Sequence, residues 1–255
     1  MKVFKTLGLA LLFMAFQNCN YVYYPTYPVV PDTKGEGIGV QAVVGPTRAQ
    51  ASAWYAVDSN VYVLGTLGYA NADENTVFAA TNFRALSGQI GLGYKKQLSP
   101  KFEFQIQGGG GLCSGRFFNT NIFTLDPNFN TGSTFSDVST ISKRGYIAPI
   151  FGFINPGKGV FYLIPRVTYE SFSNIKPLNQ NPFNSPTSFK RQTNILFGEL
   201  YGMARIDARA LNVDIIFGWA GNLNFLLDVN NASGDFNYVR PFMFGVGLSR
   251  TITFN

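Results

Sequence analysis

After residue 36 the chain alternates apolar and polar side chains with a period of two, the repeat of a β-strand whose two faces meet different surroundings. In 101–112 (KFEFQIQGGGGL), Phe102, Phe104, Ile106 and Leu112 share one parity while Lys101, Glu103, Gln105 and Gln107 take the other. In 211–219, Leu211, Val213, Ile215, Phe217 and Trp219 alternate with Asn212 and Asp214. Residues 241–254 place Phe242, Phe244, Val246, Leu248, Ile252 and Phe254 on a single face. The same template predicts ten strands, at 37–45, 48–57, 60–70, 85–96, 101–114, 144–154, 159–171, 193–206, 210–221 and 240–254. Connections are short at 58–59, 97–100, 155–158 and 207–209 and long at 71–84, 115–143, 172–192 and 222–239, with a tight turn at 46–47 as the exception on the long side.

An even strand count with brief turns on one side and extended loops on the other predicts an all-β fold, a transmembrane up-and-down antiparallel β-barrel of about ten strands. A secreted β-sandwich or soluble barrel also alternates, but its outer face should be polar. Here the apolar parity is heavily aromatic and the other parity is neutral, small or sparsely charged, which favours lipid outside and a narrow polar lumen inside. Pro149 and Pro165 fall within strands and predict a bulge or local irregularity. The 144–154 strand is apolar on both parities, so its register stays unassigned.

A Lys or Arg facing lipid near the bilayer midplane costs about 2 to 4 kcal/mol, so strand charges are expected to point inward. Parity agrees for Arg166, Glu170, Glu199 and Arg205. Arg250 is the misfit, four residues from the predicted periplasmic end, where the cost falls to about 0 to 1 kcal/mol. Tracing strand directions brings Lys95 level with Glu103, Arg166 with Glu199 and Arg205 with Asp214, predicting three cross-strand pairs in the lumen. Neutralising a crowded interior is the simpler role for them; a narrow conductance or proton path is the alternative.

Composition narrows the chemistry. Of 255 residues only 13% are charged while 16% are aromatic, and the net charge of +6 is too mild and scattered for nucleic acid. The absence of histidine removes Ser-His-Asp and Cys-His machinery, His-ligated metals and the commonest general acid/base. No catalytic constellation, metal cluster or cofactor motif is expected. Gly108–Gly111 lies in a strand pattern without the helix a phosphate loop needs, and reads as thin backbone where side chains would crowd. DVNNASGD at 228–235 resembles a calcium loop only superficially, since its Gly is displaced and no Glu closes the set. The long loops, rich in Asn, Phe, Thr and Ser, could contact glycan, lipopolysaccharide or envelope proteins, an ordinary solvated loop being the simpler reading.

The amino terminus reads as an export signal: Lys2 and Lys5 precede the apolar run Thr6–Phe16, about half the length of a membrane helix. Cys19 after the polar break Gln17–Asn18 is a lipidation candidate, although Phe16, Gln17 and Asn18 stand where a lipobox has Leu and a small residue; ordinary cleavage is the alternative. The expected division is a signal peptide at 1–18, a periplasmic Tyr/Pro-rich lead-in at 19–36 and an outer-membrane barrel at 37–255, with both termini periplasmic.

The stretch Cys19–Pro31 (CNYVYYPTYPVVP), Lys34-Gly35-Glu36, Tyr55-Ala56-Val57-Asp58, Gly91-Leu92-Gly93-Tyr94 and the closing Val246–Phe254 together resemble the small outer-membrane β-barrels of Bacteroidota, many of which begin with a lipoprotein-like signal. The resemblance spans most of the chain through short patterns and brings no catalytic residues with it. It implies a barrel surrounded by outer-membrane lipids. The expected function is that of a non-enzymatic structural or interaction protein of the envelope, possessing extracellular loops and serving as a subunit of a larger complex; the alternative is a narrow diffusion channel for ions or small solutes.

Overall fold

A computed structural model describes residues 25–32, 35–72, 82–122, 134–177, 194–208, 211–223 and 242–254. The ten strands are β1 (Gly37–Gly45), β2 (Arg48–Ala56), β3 (Val61–Ala72), β4 (Asn82–Ser99), β5 (Phe102–Ile122), β6 (Thr134–Asn155), β7 (Gly159–Pro177), β8 (Asn194–Ala208), β9 (Leu211–Asn222) and β10 (Phe242–Thr253). Each pairs antiparallel with its sequence neighbours. β10 returns to β1 from Gly37↔Thr253 to Val44↔Val246, so the sheet closes with no free edge. No helix among the described residues is long and apolar enough to cross a membrane.

The strands fall where alternation predicted them, but β4 to β7 are longer, at 18, 21, 22 and 19 residues. Their extra length rises on the side of the long connections, here the loop end. The opposite, short-turn end holds the β2–β3, β4–β5, β6–β7 and β8–β9 turns, together with Gly37 and Thr253. In the β2–β3 turn, Asp58 accepts hydrogen bonds from the backbone N–H of Asn60 and of Val61, and these donors hold its carboxyl below its ordinary value. The two prolines sit opposite one another: the β6–β7 ladder lapses between Ile147↔Val167 and Phe151↔Leu163 with its register unchanged.

The outer face is apolar. Val63, Leu67, Leu86, Ile90, Leu92, Leu112, Val167 and Leu248 are exposed mid-strand. Tyr55, Tyr94, Phe153 and Phe161 are exposed nearer the short turns, and Tyr69, Tyr169 and Phe242 nearer the loop end. Arg250 faces outward as its parity requires, opposite Val40.

Inside, four large aromatics each face a glycine directly across the ladder: Trp54↔Gly39, Tyr62↔Gly93, Tyr162↔Gly152 and Tyr201↔Gly218. A Cβ at Gly39 would lie 2.0 Å from the Trp54 ring, and one at Gly93 would lie 2.3 Å from the Tyr62 ring. The glycines are the recesses that let the rings lie flat against the inner wall. Gly109 and Gly111 of the four-glycine run also face inward, where a Cβ would meet the backbone oxygens of Ile90 and Gly88 at 2.4 and 2.1 Å. The unassigned strand β6 turns Arg144, Ala148, Ile150 and Gly152 inward and Ile147 and Phe153 outward.

The lead-in departs from expectation. Residues 25–32, expected in the periplasm, lie inside the barrel, with Thr26, Tyr27, Val29 and Val30 buried. The physical reason is the size of the interior: Tyr27 and Val30 pack in one apolar cluster with Ala148, Ile150, Tyr162, Ile164, Tyr201, Met203 and Ile216 from the walls, space that strand side chains alone leave open.

Gly93→Val should lower the stability of the folded barrel by about 1 to 3 kcal/mol, because the new side chain is forced into the Tyr62 ring. Tyr62→Leu in the same chain should recover part of that loss. Urea unfolding midpoints of the three proteins in lipid vesicles check this; an unchanged midpoint for Gly93→Val would refute the recess.

Candidate functional site

The site with the densest chemistry is the plugged lumen. Its walls supply alternate, inward residues of every strand, and its centre is the lead-in, which runs lengthwise from the loop end to the short-turn end. At the top, the Pro25 carbonyl accepts a hydrogen bond from Arg48 Nη1 at 3.0 Å, beside the β1–β2 turn. Tyr27 donates its hydroxyl proton to the Phe244 carbonyl at 2.6 Å, and its own carbonyl accepts from Gln50 Nε2 at 2.9 Å. Lower down, the Val29 carbonyl accepts from Gln107 Nε2 at 2.6 Å and the Val30 carbonyl from Arg205 Nη1 at 2.8 Å. At the bottom, Asp32 lies 3.8 Å from Lys95 Nζ, near the β2–β3 turn. Extended backbone taken out of water needs such partners, and the barrel wall supplies them in place of a neighbouring strand.

The structure brings together each of the three charge pairs read from strand directions. Lys95 stands level with Gln105 rather than with Glu103 as read from the strand directions, and its Nζ reaches Glu103 diagonally at 3.2 Å; Arg205 Nε lies 2.7 Å from Asp214. Arg166 contacts Glu199 directly. All six side chains are buried. The pairs also do more than the sequence suggested, since all three have a member that reaches the plug. Arg166 donates from Nη2 to the Thr26 carbonyl at 2.7 Å, and Tyr201 and Thr168 both donate to Glu199. Arg205 stacks near the Tyr162 ring, 5.8 Å from its centroid, while Asp214 accepts from Gln41 Nε2 at 2.7 Å. Neutralised and multiply hydrogen-bonded ions of this kind can stay buried where an isolated ion would be expelled or discharged.

A fourth pair was missed. Arg144 Nη2 lies 2.9 Å from Glu170 Oε2, and Ser142 donates to the other oxygen of the same carboxylate. Glu170 was read as inward; its partner was hidden because both parities of β6 are apolar, and only the register Arg144↔Glu170 reveals the match. Tyr201 and Thr26 were missed as well: an inward Tyr in a barrel strand and a Thr in a Tyr/Pro-rich segment carry no distinguishing pattern. Cys19 and the 228–235 segment lie outside the described residues. Cys113 is buried.

One cavity between plug and wall, bounded by Tyr27, Val29, Leu64, Gln107, Tyr146 and Arg166 among others, measures about 10 Å³, room for one water at most. Among the described residues no group of three or more His, Cys, Asp or Glu could hold a metal ion. The lead-in runs through a lumen with a charged and aromatic lining. The chain matches no protein-family model and no curated protein. What the barrel does is argued from its geometry.

Arg166→Met leaves Glu199 buried without its cation and removes a donor to Thr26, so it should destabilise the barrel by about 3 to 5 kcal/mol. Arg166→Met combined with Glu199→Gln should cost less than that single change, because no unpaired ion remains. Unfolding free energies of the wild type, both single variants and the double variant measure the coupling; strict additivity would contradict it.

Proposed function

We propose that the protein is a non-enzymatic barrel of the bacterial outer membrane, of the small Bacteroidota type its sequence resembles. It is sealed by its own lead-in and acts as a structural or interaction protein of the envelope through its loop end. The observation that carries this reading is the conjunction of an apolar outer wall with an interior occupied by residues 25–32. An aliphatic mid-zone with aromatics toward both ends suits a bilayer and its two interfaces. A lumen occupied along its length by residues 25–32 narrows any path for solutes, which weighs against the diffusion-channel alternative. Acid/base chemistry is disfavoured for a related reason: the carboxylates Glu103, Glu170, Glu199 and Asp214 are each engaged by a cation and enclosed by the plug or the wall. The surfaces left to recognise anything are those above the barrel, where β4 to β7 rise as a wall on which an envelope protein or surface glycan would dock.

Reconstitution in planar lipid bilayers tests the reading. The wild-type protein should insert without steady current, whereas replacing Tyr27, Val29 and Val30 by glycine should produce persistent openings. Steady, ion-selective wild-type openings that change with Arg166→Ala or Glu199→Ala would establish the channel instead.

A further inference from the structure

The direction of the plug has a consequence for the segment that precedes it. Its contacts descend in chain order: Pro25 to Arg48 and Tyr27 to Phe244 near the loop end, Val30 to Arg205 and Asp32 to Lys95 near the short turns. The chain then reaches Gly37, the first residue of β1, at the short-turn end. The lead-in has thus already crossed the barrel when β1 begins, with Pro25 at the loop mouth.

We propose that the mature amino terminus, Cys19 included, is displayed on the loop side of the membrane, outside the cell, with the barrel closed around the threaded lead-in. This rests on the outer-membrane reading given above. Return to the periplasm is blocked by two routes at once. The lumen below Pro25 is occupied by the buried lead-in itself. A route down the outer wall would strip water from backbone N–H and C=O groups in hydrocarbon, at several kcal/mol for each unsatisfied group.

The rim has a notch where the exit lies. β1 and β2 are nine residues each and meet in a tight turn, whereas β5 and β6 have 21 and 22 residues. Gly45 and Arg48 at the tip of that hairpin are level, through successive register partners, with Ala70, Ala85, Gly115 and Thr140, beyond which β5 continues to Ile122 and β6 begins at Thr134. Pro25 is held against Arg48, at the lowest point of the rim among the described residues. The tight turn on the long-loop side is thus the lip over which the lead-in passes. From there, the six residues from Cys19 to Tyr24 reach about 20 Å when extended. That is enough to bring an acyl group on Cys19 to the outer leaflet beside the β1–β2 hairpin.

The test places one short epitope at a time in the full-length chain on intact cells. The three sites are between Asn20 and Tyr21, after Asn231 in the β9–β10 connection, and after Gly157 in the β6–β7 turn. Heat-modifiable gel migration verifies that each barrel folds. Antibody should bind the first two on intact cells and the third only after permeabilisation. Binding at Asn231 but not at Asn20 would overturn threading while leaving the outer-membrane reading intact. Protection of Asn231 on intact cells would remove that reading, and this inference with it. Should an epitope at Asn20 block assembly, Tyr21→Cys with Cys113→Ser, probed by an impermeant maleimide, reports on the same terminus; rapid labelling on intact cells supports the proposal and labelling only after permeabilisation refutes it.

Discussion

Closing a ten-strand sheet creates an interior that must be filled with something compatible with both buried backbone and buried charge, and every other feature of this protein follows from how that is met. The wall contributes tyrosines and a tryptophan that lie over glycines, so rings occupy the lumen without pushing strands apart. The remaining central column is taken by residues 25–32, whose side chains join the apolar cluster and whose carbonyls are met by Arg48, Gln50, Gln107, Arg166 and Arg205. Remove the column, and the buried guanidinium groups lose acceptors while the tyrosines lose their packing. Plug and wall are one core.

The charges show which force wins. Desolvating an ion costs several kcal/mol, and a surface pair returns little, so four buried pairs would be a poor source of stability taken singly. Here they serve position. Arg166 joins Glu199, Tyr201 and Thr26; Arg205 joins Asp214 and Val30; Lys95 joins Glu103 and Asp32. A lead-in shifted by one residue would present the wrong carbonyls to all of these groups, so the network fixes one register of the thread within the tube.

Much of the barrel was legible because its outer and inner faces differ enough to impress a period of two on most strands. In β10 the outward Phe242, Phe244, Val246 and Leu248 alternate with the inward Met243, Gly245, Gly247 and Ser249, and no other fold is needed to explain it. Legibility fails where the lumen itself is apolar. β6 turns Ala148 and Ile150 toward Val30 and Tyr27, so both its faces read as greasy and its inward Arg144 went unpartnered. The lead-in was illegible for another reason. A Tyr/Pro-rich segment without periodicity looks like a linker, although Tyr27, Val29 and Val30 form an apolar group that a solvated linker has no cause to carry. Strand lengths were underread because the sequence alternation fades toward the loop end, where β5 continues to Ile122 and β6 begins at Thr134.

Chemical protection of Val30 tests the account most directly, since Val30 is fully buried and lies near the middle of the plug. Val30→Cys in a chain carrying Cys113→Ser and Cys19→Ser should resist a water-soluble maleimide for as long as the barrel is folded and react at once on unfolding, while an exposed control, Val57→Cys, reacts throughout. Labelling of Val30→Cys in the folded protein at the rate of that control would show the lead-in outside the barrel and contradict the account.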